Sequence, residues 1–204
     1  MKWKDLRGKM GRRVKGLTFG RRKERKINLS LFQEILIWIV EIAITIGIAV
    51  VLTYFFGVRS TVVGPSMSPQ LEDGDEVLID RFFYKFISPK AGDVIAFLPN
   101  GNTNTHYYLK RVVAVPGDTV QIKDGAVYVN GEEYVEETQT ARIEDAGIAE
   151  TEITLAEDEY FVLGDNRNNS EDSRFANIGN VREDYIIGKA WFIIAPRDKL
   201  GLMK

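Results

Sequence analysis

Apolar and polar positions along the chain fall into three regimes. Residues 1–34 are polar and basic at the start and carry no sustained apolar period, residues 35–56 are almost continuously apolar, and from residue 57 onward short apolar runs alternate with turn-forming clusters. The middle run, ILIWIVEIAITIGIAVVLTYFF, has 22 residues and one charge, Glu41. As a helix it would extend about 33 Å, roughly one bilayer core, and is expected to be a membrane span. Trp38 near one end and Tyr54, Phe55 and Phe56 at the other fit the interfacial aromatic pattern. Glu41 is tolerable where it lies toward one leaflet and pairs, takes a proton or reaches the headgroups; a contact with a partner helix is the functional alternative. The run is too long for a signal-peptide core, and the bulky exit TYFFGVRS offers no small-x-small site. An uncleaved anchor is therefore expected.

Beyond the span, turn signals recur at Asp73-Gly74, Asn100-Gly101, Pro116-Gly117-Asp118, Asp124-Gly125, Asn130-Gly131 and Gly164-Asp165. Between them lie β-branched and aromatic runs at 76–79, 93–97, 107–115, 126–129, 159–163 and 189–194. This pattern predicts a mainly β domain over residues 57–204. QIKDGAVYVNGEEY reads as consecutive hairpins through Asp-Gly and Asn-Gly turns. The acidic, weakly patterned stretch 141–154 reads as a surface loop or edge.

Charge sharpens the division. The net charge of -2 splits into +10 over residues 1–30, which hold 12 Lys+Arg and 2 Asp+Glu, and -12 over the rest. A basic segment before an apolar span is a topological signal more readily than a nucleic-acid site, which places residues 1–34 in the cytoplasm and residues from Gly57 onward outside. Cysteine is absent and histidine occurs once, at His106. Thiol nucleophiles, disulfides and Cys/His zinc sites are thereby excluded.

Three segments are richer in reactive residue types than folding requires. In Thr61-Val62-Val63-Gly64-Pro65-Ser66-Met67-Ser68-Pro69 an extended apolar run enters a Gly-Pro turn that presents Ser66. Pro65 biases Gly64 toward extended geometry, while Ser66 keeps both a hydroxyl and a backbone N–H, the two groups an acyl-transfer nucleophile and its oxyanion site use. An ordinary turn has the same composition. In Tyr107-Tyr108-Leu109-Lys110-Arg111-Val112-Val113-Ala114-Val115, strand alternation sets Tyr108, Lys110, Val112 and Ala114 on one face, so Lys110 sits among apolar neighbours. Desolvation would lower its pKa and make it a base, unless the side chain reaches back to water. Residues 164–174, GDNRNNSEDSR, lack any large apolar side chain. A calcium loop would place Arg167 at a ligand position, so an Asp-Arg hydrogen-bonded loop that orients a nearby site fits better.

Taken together, these segments resemble bacterial type I signal peptidases, membrane-anchored serine proteases that remove signal peptides with a Ser-Lys dyad. The resemblance rests on GPSMSP at 64–69 with Gly74-Asp75, GDVIAF at 92–97, YLKRVVAVPGD at 108–118, Gly164-Asp165-Asn166-Arg167 and SEDSR at 170–174, in that order after the anchor. It implies a signal-peptidase-like antiparallel β-sheet or barrel with one transmembrane helix. It also implies Ser66 as nucleophile, Lys110 as general base and Ser170 as the hydroxyl that orients the lysine. Asp172 and Arg174 resemble the salt-bridged pair beneath the site, with Asp165 and Arg167 in the same supporting box. The Ser66 N–H would form one side of the oxyanion hole; where some relatives have a serine, Gly64 lacks the hydroxyl of a second donor.

By the same resemblance the substrate is an extended peptide with small residues, typically Ala-x-Ala, at -3 and -1. Shallow pockets would be lined by Val62, Met67, Leu71 and Leu109, although plain core packing accounts for them equally and alternation puts Leu109 and Lys110 on opposite faces. Expected partners are signal peptides of secreted preproteins and the lipid bilayer, with no nucleic acid, metal or cofactor. With 45 residues between Asp118 and Gly164, the domain has the length of the family's short form. A self-cleaving repressor of related fold and a non-catalytic anchored β domain are the competing readings, the first disfavoured by the anchor.

Overall fold

The computed structural model describes residues 29–56, 58–136 and 140–203. The basic tail expected over residues 1–34 falls mostly on residues 1–28, outside the described residues, as do the side chains of Tyr54, Phe55 and Phe56. Helix α1, Leu29–Phe56, begins before the continuous apolar run and has 28 residues. Its apolar stretch Ser30–Thr53 has every side chain exposed. An all-round apolar helix that the described residues leave uncovered is stable where its solvent is hydrocarbon, so α1 is a candidate membrane span.

The remaining architecture is mainly β, as the turn spacing predicts. The strands are β1 (Val58–Thr61), β2 (Glu76–Asp80), β3 (Val94–Phe97), β4 (Tyr108–Ala114), β5 (Thr119–Lys123) and β6 (Ala126–Val129). They are followed by β7 (Glu132–Glu133), β8 (Ile153–Thr154), β9 (Glu159–Leu163), β10 (Val181–Arg182), β11 (Ile186–Ala195) and β12 (Gly201–Leu202). An antiparallel sheet runs β1-β2-β11-β3-β4-β9-β10, with β12 on β11, and its path does not close. A second sheet runs β7-β6-β5-β8. Its hairpins turn at Asp124-Gly125, with φ of 50° and 76°, and at Asn130-Gly131, with φ of 52° and 81°. Both residues are left-handed in each pair, the two-residue turn whose twist matches antiparallel strands.

Strand β4 organises the interior. Paired with β3 on one edge and β9 on the other, it is buried from Leu109 to Ala114. Leu109 joins a core with Val62, Met67 and Leu71; Val112 joins a second with Ile95 and Tyr160; Val113 and Ala114 join a third with Val120, Ile122 and Phe161. A register shift between Val112 and Ala114 breaks the alternation, so Ala114 does not share the face of Val112 as simple period two requires. The stretch 141–154 is likewise more than a surface loop. β8 is a sheet edge, but Ile143 and Ala149 are buried in the third core.

Candidate active site

Lys110 and Arg111 are neighbours on a strand that is covered on both sides, so two cations enter the interior with different requirements. The side chain of Lys110, only 3% exposed, stands opposite Ile95 across the β3–β4 ladder. Its Nζ lies 2.8 Å from Ser66 Oγ and 5.3 Å from the centroid of the Tyr108 ring. Burial pushes the Lys110 pKa down from 10.5 to about 8, against the opposing charges of Asp172, Glu171 and Asp165. A hydroxyl held against a desolvated amine is what general-base activation of an alcohol requires.

The turn that carries Ser66 is fixed from both ends. Val62 N–H donates to Asp75 O at 2.8 Å, Gly74 N–H to Val62 O at 3.0 Å, and Leu71 N–H to Met67 O at 2.9 Å. Gly64 is not in the extended conformation that its following proline suggests from the sequence. Its φ is +82°, a region that residues with a Cβ enter only with strain. The Gly64 N–H donates to Asp73 Oδ1 at 2.7 Å, so Gly64 supplies neither a hydroxyl nor a free N–H. The Ser66 N–H carries no hydrogen bond among the described residues.

Loop 164–174 packs directly on this turn. Asn166 N–H donates to Ser66 O and Asn166 Nδ2 to Pro65 O, each at 3.1 Å. A Cβ on Gly164 would lie 2.4 Å from Ser66 O and 2.2 Å from Ser170 Oγ, so only glycine allows this approach. Ser170 Oγ is buried and has no hydrogen-bond partner among the described residues. It thus sits beside the Ser66 turn without a hydrogen bond to Lys110.

Beneath the loop, Arg174 grips the fully buried Asp172 through Nε at 2.8 Å and Nη2 at 2.9 Å. Asp172 Oδ2 also accepts from Gly164 N–H at 3.1 Å. Asp165 and Arg167 are both buried; the Arg167 N–H donates to Asp165 O at 3.1 Å, but their side chains pair elsewhere. Asp165 takes both oxygens to Arg111, Nε and Nη2 each at 2.8 Å, while Arg167 pairs with Glu136 and donates from Nε to Gly164 O at 3.0 Å. Three residues with structural parts here, Arg111, Glu136 and Asn166, have no assigned role in the sequence reading. The available signal is Arg111 itself: an arginine in a strand buried on both faces requires a carboxylate.

A cavity of about 520 Å³ opens over Ser66 and Lys110. Of the four residues expected to line substrate pockets, Val62, Met67 and Leu109 border it; Leu71 does not, and is fully buried. Leu109 and Lys110 both border the cavity despite strand alternation, because it opens beside the start of β4. His106 is exposed in the turn before β4 and borders the same space.

Residues 35–195 match the family model described as signal peptidase, peptidase S26. The chain is 33% identical over 174 residues to signal peptidase I T of Bacillus subtilis (strain 168), covering 82% of this chain and 89% of the relative. It is 35% identical over 179 residues to signal peptidase IB of Staphylococcus aureus (strain COL), covering 80% and 91%. A crystal structure of a signal peptidase I from Enterococcus faecalis V583 matches at 30% identity with a TM-score of 0.40, covering 50% of this chain and 97% of that one. The chain therefore belongs to the signal peptidase family, peptidase S26, and is a serine endopeptidase of that family.

Proposed function

We propose that this chain is a membrane-anchored signal peptidase that cleaves exported preproteins after an Ala-x-Ala site, with Ser66 as nucleophile and Lys110 as general base. The observation that carries this reading is the 2.8 Å contact between Ser66 Oγ and the buried, pKa-lowered Lys110 Nζ. As a neutral amine, Lys110 accepts the Ser66 hydroxyl proton while Oγ adds to the scissile carbonyl carbon. The open Ser66 N–H faces the developing oxyanion. The C–N bond then breaks, the Lys110 ammonium returns its proton to the leaving amine, and an acyl-enzyme ester remains on Ser66. Lys110, neutral again, takes a proton from water as the water oxygen adds to the ester carbon, and returns it to Ser66 Oγ as the C–Oγ bond breaks and the new carboxyl terminus leaves.

Val62, Met67 and Leu109 form the wall on which the small -1 and -3 side chains rest. The span Ser30–Thr53 anchors the enzyme, and the +10 amino-terminal segment orients it with residues 1–34 cytoplasmic and residues 57–204 outside. Tethering in the bilayer that holds the uncleaved substrate raises the effective concentration.

The test uses the full chain in detergent with a preprotein bearing an Ala-x-Ala site, and amino-terminal sequencing of the mature product. Cleavage is expected after the -1 alanine. Replacing that alanine with tryptophan should reduce kcat/KM by about 100-fold, since a side chain too large for the wall displaces the scissile bond from Ser66, and a misplacement of about 1 Å costs that much. Undiminished cleavage of the tryptophan substrate contradicts the small-residue specificity.

A further inference from the structure

Most acidic side chains around the site are neutralised: Asp165 by Arg111, Asp172 by Arg174, and Asp75 by Lys199 at 3.0 Å. Glu171 differs. It is exposed, borders the cavity with Ser66 and Lys110, and makes no hydrogen bond or salt bridge among the described residues. Its charge still reaches the dyad, because it is among the carboxylates that oppose the fall of the Lys110 pKa. Among the described residues that line the cavity, Glu171 is the one carboxylate.

An extended peptide places alternate side chains on opposite faces. If -1 and -3 rest on Val62, Met67 and Leu109, the side chains at -2 and +1 turn away from that apolar wall. We infer that Glu171 is a specificity-determining residue that favours substrates with lysine or arginine at -2 or +1. This inference rests on the Ser66–Lys110 reading of the site. A solvent-exposed charge pair is worth up to about 1 kcal/mol, which corresponds to about three- to fivefold in kcat/KM.

The experiment uses the full chain in zwitterionic detergent and peptides that differ only in Lys, Gln or Glu at -2, with a second series at +1. Rates are compared as ratios within each enzyme variant, so that a change in overall activity drops out. In at least one series, the intact protein should cleave the Lys peptide about three- to fivefold better than the Gln peptide, and the Glu peptide correspondingly worse. The spread should collapse near 1 M salt, where the screening length is about 3 Å. Glu171→Gln should level the series and Glu171→Lys should invert it. Equal rates across both series with the intact protein, or a preference that survives Glu171→Gln, overturns the inference while cleavage itself leaves the dyad standing. Failure to cleave every peptide overturns both.

Discussion

Lys110→Met in the full chain is expected to lower kcat/KM for a preprotein by roughly 10⁴- to 10⁶-fold, Ser66→Ala by a similar factor, and the double variant little further. In the proposed dyad, nucleophile and base act on one proton, so losing either would remove the same step. Lys110→Arg should be equally inactive, because a guanidinium stays protonated and has no lone pair to offer. Stability separates lost chemistry from lost folding. Depression of the Lys110 pKa from 10.5 to about 8 means that the unfolded chain binds the proton more tightly than the folded one. Burial of the ammonium therefore destabilises the domain by about 3 kcal/mol below pH 8, and the penalty is relieved as pH rises from 8 toward 10.5. Methionine fills nearly the same space without that charge, so Lys110→Met should melt no lower than the parent at neutral pH while being inactive. Retention of a tenth of the parental rate would remove Lys110 from the mechanism.

The largest loss of stability is expected from Asp172→Ala. Asp172 is fully buried and accepts from Arg174 Nε, Arg174 Nη2 and Gly164 N–H. Alanine leaves the guanidinium of Arg174, itself 2% exposed, without its counter-charge in the interior. Breaking such a pair on one side costs about 3–5 kcal/mol, and for a chain of this size the melting temperature should fall by roughly 10 °C. Loss of the Gly164 acceptor also loosens the loop that Asn166 ties to the Ser66 carbonyl, so activity should fall below what the folded fraction explains. Asp172→Asn keeps shape and one acceptor and should lose less. A drop under about 2 °C for Asp172→Ala would mean that Arg174 finds another partner or reaches water.

Much of this was legible from local pattern. Asp124-Gly125 and Asn130-Gly131 announce their hairpins because left-handed backbone pairs demand those residue types, and the strand cores between turn signals follow. Ser66 and Lys110 stand out as a hydroxyl on a Gly-Pro turn and a cation in an apolar run. Long-range pairing was less legible. Asp165 could pair with Arg167 two residues away, but the bidentate partner is Arg111, 54 positions earlier, because β4 lies beside β9 and the loop that follows it. Arg167 finds Glu136 across 31 positions. Leu71 has the same apolar signature as Val62 and Met67, and only the packing leaves it fully buried outside the cavity lining. The bulge that turns Ala114 off the face of Val112 leaves no mark in the residue types themselves.

The central claim is that Ser66 is acylated only when Lys110 is a neutral amine. The most direct measurement is the pre-steady-state rate of acyl-enzyme formation as a function of pH, with a saturating peptide and the full chain in detergent. Below the Lys110 pKa the rate should rise about tenfold per pH unit, bend near pH 8 and level off above it. A rate that is flat from about pH 6 to 10, or that continues to climb toward the ordinary lysine range near 10.4, would contradict a desolvated Lys110 acting as the base.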